Sequence, residues 1–110
     1  MPDQSEKARR KQLLHSLRDE QRKAVRESLP ASPSVMKALF GHIDSRLEEA
    51  ECDDTLRYAR EFINQNHLPE DAVVTWLQEN GGYCDCEAIA NAEQVIEDAI
   101  PDYGKLPSAL

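Results

Sequence analysis

Glycine is scarce in this chain, with only four residues, at positions 41, 81, 82 and 104. A β-rich protein of this length needs more turn residues than that. Aromatic residues are few as well: one Trp, two Phe and three Tyr. The core must then be mainly aliphatic, with Trp76, Phe40, Phe62, Tyr58 and Tyr83 as its few large pieces. No run of 18 apolar residues exists, which excludes a transmembrane helix. The first residues are charged from Asp3 to Lys11 and hold no apolar signal region and no lipidation motif, so the expected compartment is the cytoplasm. Thiols stay reduced there. Three cysteines agree with that reading, since a secreted framework normally pairs them all.

Charge is plentiful but divided. Residues 1–28 hold eight Lys and Arg against five acids, a net of +3, while residues 29–110 hold five against sixteen, a net of −11. A body that acidic repels nucleic-acid phosphates and an anionic membrane surface. The basic stretch, with Arg9, Arg10, Lys11, Arg18 and Arg22, is the one candidate footprint for nucleic acid or for an acidic protein partner. Beside an acidic body, a net of +3 reads more simply as a solvated helix of mixed charge.

The hydrophobic periodicity predicts an all-α, single-domain bundle of about five helices with a long charged N-terminal helix. Residues 5–28 contain no Gly or Pro and are rich in strong helix formers. Asp3–Lys7, Glu6–Arg10 and Asp19–Lys23 are acid-before-base pairs at i,i+4. The apolar face there is thin (Leu13, Leu14, Leu17, Ala24, Val25), so the helix should touch the body along a narrow stripe. Leu29-Pro30-Ala31-Ser32-Pro33 ends it. Ser32 is a good N-cap and Pro33 suits the first position of the next helix. That helix carries Val35, Met36, Leu39, Phe40, Ile43 and Leu47 on one face. Asp53 or Asp54 can cap a third helix with Leu56, Ala59, Phe62 and Ile63 inward. A fourth starts at Pro69 and stops at Gly81-Gly82, where glycine supplies a left-handed cap. A last helix, residues 86–99, should have Asp85 as N-cap and Ile89, Ala92, Ile96 and Ala99 inward. The expected organisation is residues 1–28 as a basic extension of the domain, 29–100 as a compact body and 101–110 as a loose tail.

Cys84 and Cys86 flank Asp85 at the start of that last helix. Cys52 lies in the short loop before the third. If the helices between these loops form an antiparallel pair, the three thiols converge at one end of the bundle. Three readings stay open. In the first, the thiols are small buried residues at helix junctions. In the second, they are a zinc site of Cys52, Cys84 and Cys86 with Asp54 as fourth ligand, since zinc takes four thiolate, imidazole or carboxylate donors. Or they are a redox group, in which a strained C-D-C disulfide would be easily reduced. His67 is the one imidazole within reach in the middle of the chain. Asp53, Asp54, Asp85 and Glu87 also form an acidic cluster, which first-turn and capping roles explain. No G-x-S-x-G elbow and no Gly-rich phosphate loop is present.

The stretch Asn80-Gly81-Gly82-Tyr83-Cys84-Asp85-Cys86-Glu87, with Cys52-Asp53-Asp54-Thr55-Leu56 before it, resembles a family of small bacterial proteins catalogued as "domain of unknown function 2695". The resemblance extends to the charged first helix and the Leu29-Pro30 junction. It implies that the position of Asp54 is often a histidine, which favours the metal reading because both are zinc ligands. The family name brings no function with it. The expected function is a non-enzymatic cytoplasmic accessory or interaction protein whose cysteine corner is structural or a zinc site. A metal- or redox-responsive protein using Cys52, Cys84 and Cys86 is the first alternative, and a nucleic-acid-associated protein using the basic helix the second.

Overall fold

A computed structural model describes residues 4–107 of the chain, with side chains from Lys7 onward. The pairs Asp3–Lys7 and Glu6–Arg10 therefore lie outside the described side chains. The fold is all-α, a single domain of five helices, with no strand among the described residues. None of its helices is long and apolar enough to cross a membrane.

Helix α1 (Gln4–Ser28) is a single uninterrupted rod. At 25 residues it is about 37 Å long, from a rise of about 1.5 Å per residue. Lys23 pairs with Glu27, one turn ahead, rather than with Asp19. Ser28 closes the helix: its hydroxyl donates to the Val25 carbonyl and accepts from the Trp76 indole N–H. Helix α2 (Pro33–Glu49) begins as the sequence predicts, with Pro33 in its first turn and the Ser32 hydroxyl accepting the Val35 amide at 3.3 Å. Met36, Leu39, Phe40 and Ile43 on its inner face are fully buried.

Helices α3 (Arg57–Gln65) and α4 (Glu70–Glu79) form an antiparallel pair, of which α3 packs on α2. The turn between them is tight because His67 takes a left-handed φ of 55°, and Leu68 N–H then reaches back to the Ile63 carbonyl. Helix α4 ends the same way with better-suited residues. Gly81 has φ 86°, its N–H bonds the Gln78 carbonyl, and Gly82 N–H bonds the Leu77 carbonyl. That pair of bonds is a Schellman cap. Gly82 has a second constraint: a Cβ there would stand 3.0 Å from the Ala88 backbone.

Helix α5 covers residues 85–99 and lies across α2, α3 and α4. It starts as one α-turn, Asp85–Glu87, widens into a π segment, Ala88–Ala92, and returns to α geometry over Glu93–Ala99. Its inward residues are Ala88, Ala92, Ile96 and Ala99, with Ile89 only partly buried. The sequence predicts an ordinary helix here; the wide turn shifts the inner face by one residue at its start.

Three expectations are corrected. Tyr83 is 63% exposed, and the fifth large core aromatic is instead Tyr103. Tyr103 also overturns the loose tail as far as Leu106. It is buried, its hydroxyl donates to Glu93 at 2.8 Å, and Lys37 donates to the Gly104 and Leu106 carbonyls. Residues 108–110 lie outside the described part. Last, α1 touches the body only through its final turns, chiefly against α5. Of its expected stripe, Val25 alone is half-buried.

Trp76 joins the core to the end of α1, and only 5% of it is exposed. Trp76→Ala should destabilise the fold by roughly 3–5 kcal/mol, as expected for a large core truncation. Denaturant unfolding measures this. A melting shift of a degree or two would show that Trp76 carries little of the core.

Candidate metal centre

The first cysteine loop, between α2 and α3, is shaped by its own acids. The Asp53 carboxylate accepts the Thr55 amide at 3.1 Å and the Thr55 hydroxyl, an Asx turn. The Thr55 hydroxyl, then its amide, hold the Asp53 carboxyl below its ordinary value. Asp54 takes a left-handed φ of 65°, a conformation that Asp tolerates better than most residues. Neither acid caps α3. Leu56 occupies the cap position, with no side-chain bond to the helix.

The cap comes from the other loop. Asp85 is fully buried, and its two carboxylate oxygens accept the Tyr58 and Ala59 amides at 3.0 and 3.1 Å. Those are the second and third residues of α3, the amides that an N-cap side chain ordinarily satisfies. Asp85 is thus the cap of α3 from 26 to 27 residues away in sequence, and not the N-cap of its own helix as expected. That position belongs to Cys84. A second bond doubles the link: Asp85 N–H donates to the Thr55 carbonyl at 3.0 Å. Burial pushes the Asp85 carboxyl up, and the Tyr58 and Ala59 amides pull it back. Glu87 completes the turn by accepting the Tyr83 amide at 3.3 Å.

This stitch brings the two loops together. The Cys52 sulfur, the Cys84 sulfur and a carboxylate oxygen of Asp54 all lie within 4.8 Å of one another. Cys84 is buried, Cys52 half-buried, Asp54 exposed. Cys86 is exposed, and its thiol faces Cys52. All three cysteines are free thiols. A tetrahedral zinc with bonds of about 2.3 Å to sulfur needs ligand atoms about 3.8 Å apart. Side-chain rotation of the ångström scale closes that difference.

The thiols are not equivalent. Burial opposes ionisation of Cys52, but the Cys86 and Asp54 amides and the Cys86 and Cys84 thiols outweigh it, so its pKa is lowered. Cys84 is pushed up by burial and by the neighbouring Cys52. Cys86 is pushed up to about 11, first by its bond to Cys52 and then by desolvation. Cys52 is therefore the most readily ionised of the three thiols. A divalent cation would favour the ionised form of all three.

The remaining candidates lie elsewhere. His67 is at the far end of α3 from the cysteine loops. His42 bonds Glu61 at 2.9 Å, its ring tilted against Phe62. His15 is exposed on α1. Arg9, Arg10, Lys11, Arg18 and Arg22 are all exposed on α1 as well. Of the four expected ligands the structure groups Cys52, Asp54 and Cys84 and leaves Cys86 outside that group; the role of Asp85 was missed. The sequence carries no signal for that role, because Asp53, Asp54 and Thr55 stand where a local cap of α3 would.

A family model described as "Protein of unknown function (DUF2695)" matches residues 39–91. That span contains both cysteine loops and leaves out α1. Uncharacterized proteins of Mycobacterium bovis and of two Mycobacterium tuberculosis strains are each 34% identical over 88 residues, 80% of this chain and 89% of theirs. No solved structure matches.

Asp85→Ala leaves two buried amides without an acceptor, which should cost about 2–4 kcal/mol. Asp85→Asn keeps one acceptor and should cost less. Urea unfolding reads both. A loss below about 0.5 kcal/mol for the alanine variant, the range of ordinary surface changes, would show that α3 does not depend on this cap.

Proposed function

The chain belongs to the DUF2695 family of proteins of unknown function, and we propose that it is a non-enzymatic cytoplasmic accessory protein built around a thiolate zinc centre. The ligands are Cys52, Cys84, Cys86 and Asp54. One observation carries this reading: donors from two separate loops, Cys52, Asp54 and Cys84, lie within 4.8 Å of one another. Cys86, exposed and outside that group, would supply the fourth by turning its side chain inward. Four protein ligands leave no open position for water or substrate, the pattern of structural rather than catalytic zinc. Three thiolates and one carboxylate also favour a borderline-soft cation over magnesium or calcium, which take oxygen donors. Each ligand sits beside a helix start, so binding would clamp α3 to α5 at the point where Asp85 already joins them.

The protein purified without chelator and without a histidine tag should contain about one zinc per chain by elemental analysis. Chelation should lower its melting temperature. Cys52→Ser and Cys84→Ser should each abolish retention, and Asp54→Asn should weaken it. Absence of metal, together with melting unchanged by chelator, would overturn the proposal.

The lowered pKa of Cys52 beside two thiols favours one second reading, a thiol switch. In that case mild peroxide is reduced to water while two thiols become one disulfide, and a reductant restores both. Three thiols still titrating after peroxide would exclude it.

A further inference from the structure

The face by which α1 docks on α5 does not stop where the body stops. Arg18, Gln21 and Val25 look across an open groove of about 380 Å³ to Val95, Asp98 and Ala99. One turn further toward the N-terminus, at the spacing that keeps a helix face, the same side carries Leu17 and Leu14, with Leu13 beside them. These are 47%, 57% and 62% exposed. Single exposed leucines need no explanation, but three on one side of one helix mark a surface that meets something. The molecule is 59 Å long and only 25 by 24 Å across. The N-terminal half of α1 thus stands clear of the body, and among the described residues nothing in its own chain covers those leucines.

Charge has the same imbalance. Lys7, Arg9, Arg10 and Lys11 occupy the end of α1 farthest from the body, while residues 29–110 carry a net of −11. The rod keeps the two apart within one chain. An antiparallel neighbour brings them together. It reverses α1, so that its basic end arrives at the body of the other copy.

We propose that two copies of this chain pair through antiparallel α1 helices about a two-fold axis near Leu14 and Leu17. Residue 16 is the midpoint of Gln4–Ser28, so these leucines sit at the centre of the rod, and two rods that cross there meet over the turns that stand clear of each body. Each leucine stripe then covers the other. Each turn of Lys7, Arg9, Arg10 and Lys11 lies over the acidic body of the partner, at the Asp98 side of the groove. This is the self-complementary patch that a two-fold interface requires.

Sedimentation equilibrium of the full chain tests the proposal. At low salt the mass should be twice the 12.5 kDa of one chain. Raising salt from about 50 mM to about 500 mM should weaken pairing at least roughly tenfold, because the basic turn and the acidic body are screened from each other. The double variant Leu14→Glu, Leu17→Glu should run as a single chain whose helix content matches that of the parent chain diluted until it dissociates, since neither residue is in the core. Leu14→Met with Leu17→Met should still pair. A single chain at every concentration in low salt would overturn the proposal, as would a dimer that survives both glutamates. So would a single chain whose α1 retains a short DNA duplex.

Discussion

A carboxylate that serves a helix other than its own holds this fold together. Asp85 has no water around it, yet its two oxygens accept the two amides at the start of α3. Burying a carboxylate is costly unless hydrogen bonds replace its solvent. Here the positive end of a helix replaces it. The arrangement fixes where α3 begins, how α5 enters the bundle, and how far apart the two cysteine loops stand. The convergence of Cys52, Asp54 and Cys84 follows from it, because Asp85 lies between Cys84 and Cys86 and its amide bonds the Thr55 carbonyl, three residues after Cys52.

Much of the architecture was legible in short stretches of sequence because its causes are local. Ser32-Pro33 starts a helix wherever it stands, and Gly81-Gly82 stops one. The stripe Met36, Leu39, Phe40 and Ile43 marks its buried face by spacing alone. The convergence of the cysteine loops was legible too, because a short turn forces α3 and α4 antiparallel. What escaped depends on partners distant in the chain. An aspartate before a helix looks like that helix's cap, and only the packed structure shows Asp85 turned toward α3. Tyr83 and Tyr103 are chemically equal, but the first follows a glycine cap into solvent and the second is pinned by Glu93. Likewise the leucines of α1 have the composition of a buried stripe, but a straight rod carries them past the end of the body.

The electrostatics of the corner are of one kind throughout. Asp53, Asp54, Asp85 and Glu87 surround three thiols, and the backbone amides of turns and helix starts answer most of that negative charge. Asp53 is answered by Thr55, Asp85 by Tyr58 and Ala59, Glu87 by Tyr83, and Cys52 by the Cys86 and Asp54 amides. Asp54 and the thiols of Cys84 and Cys86 are what remains. A proposed cation there would therefore meet ligands already positioned, and its binding energy would not be spent on building the loops.

The wide turn at Ala88–Ala92 has a consequence for how this chain tolerates change in length. In it the Glu93 amide bonds the Ala88 carbonyl, five residues back instead of four, so the segment accommodates one residue more than a regular helix needs. Ala90 in its middle is exposed and packs on nothing in the core. Excising that one position would let the helix close into ordinary α geometry while Cys84 and Asp85 on one side and Ile96 and Ala99 on the other keep their places. At this point the helix stores a spare residue, and a one-residue deletion here would be absorbed by pitch rather than transmitted to the corner or the core.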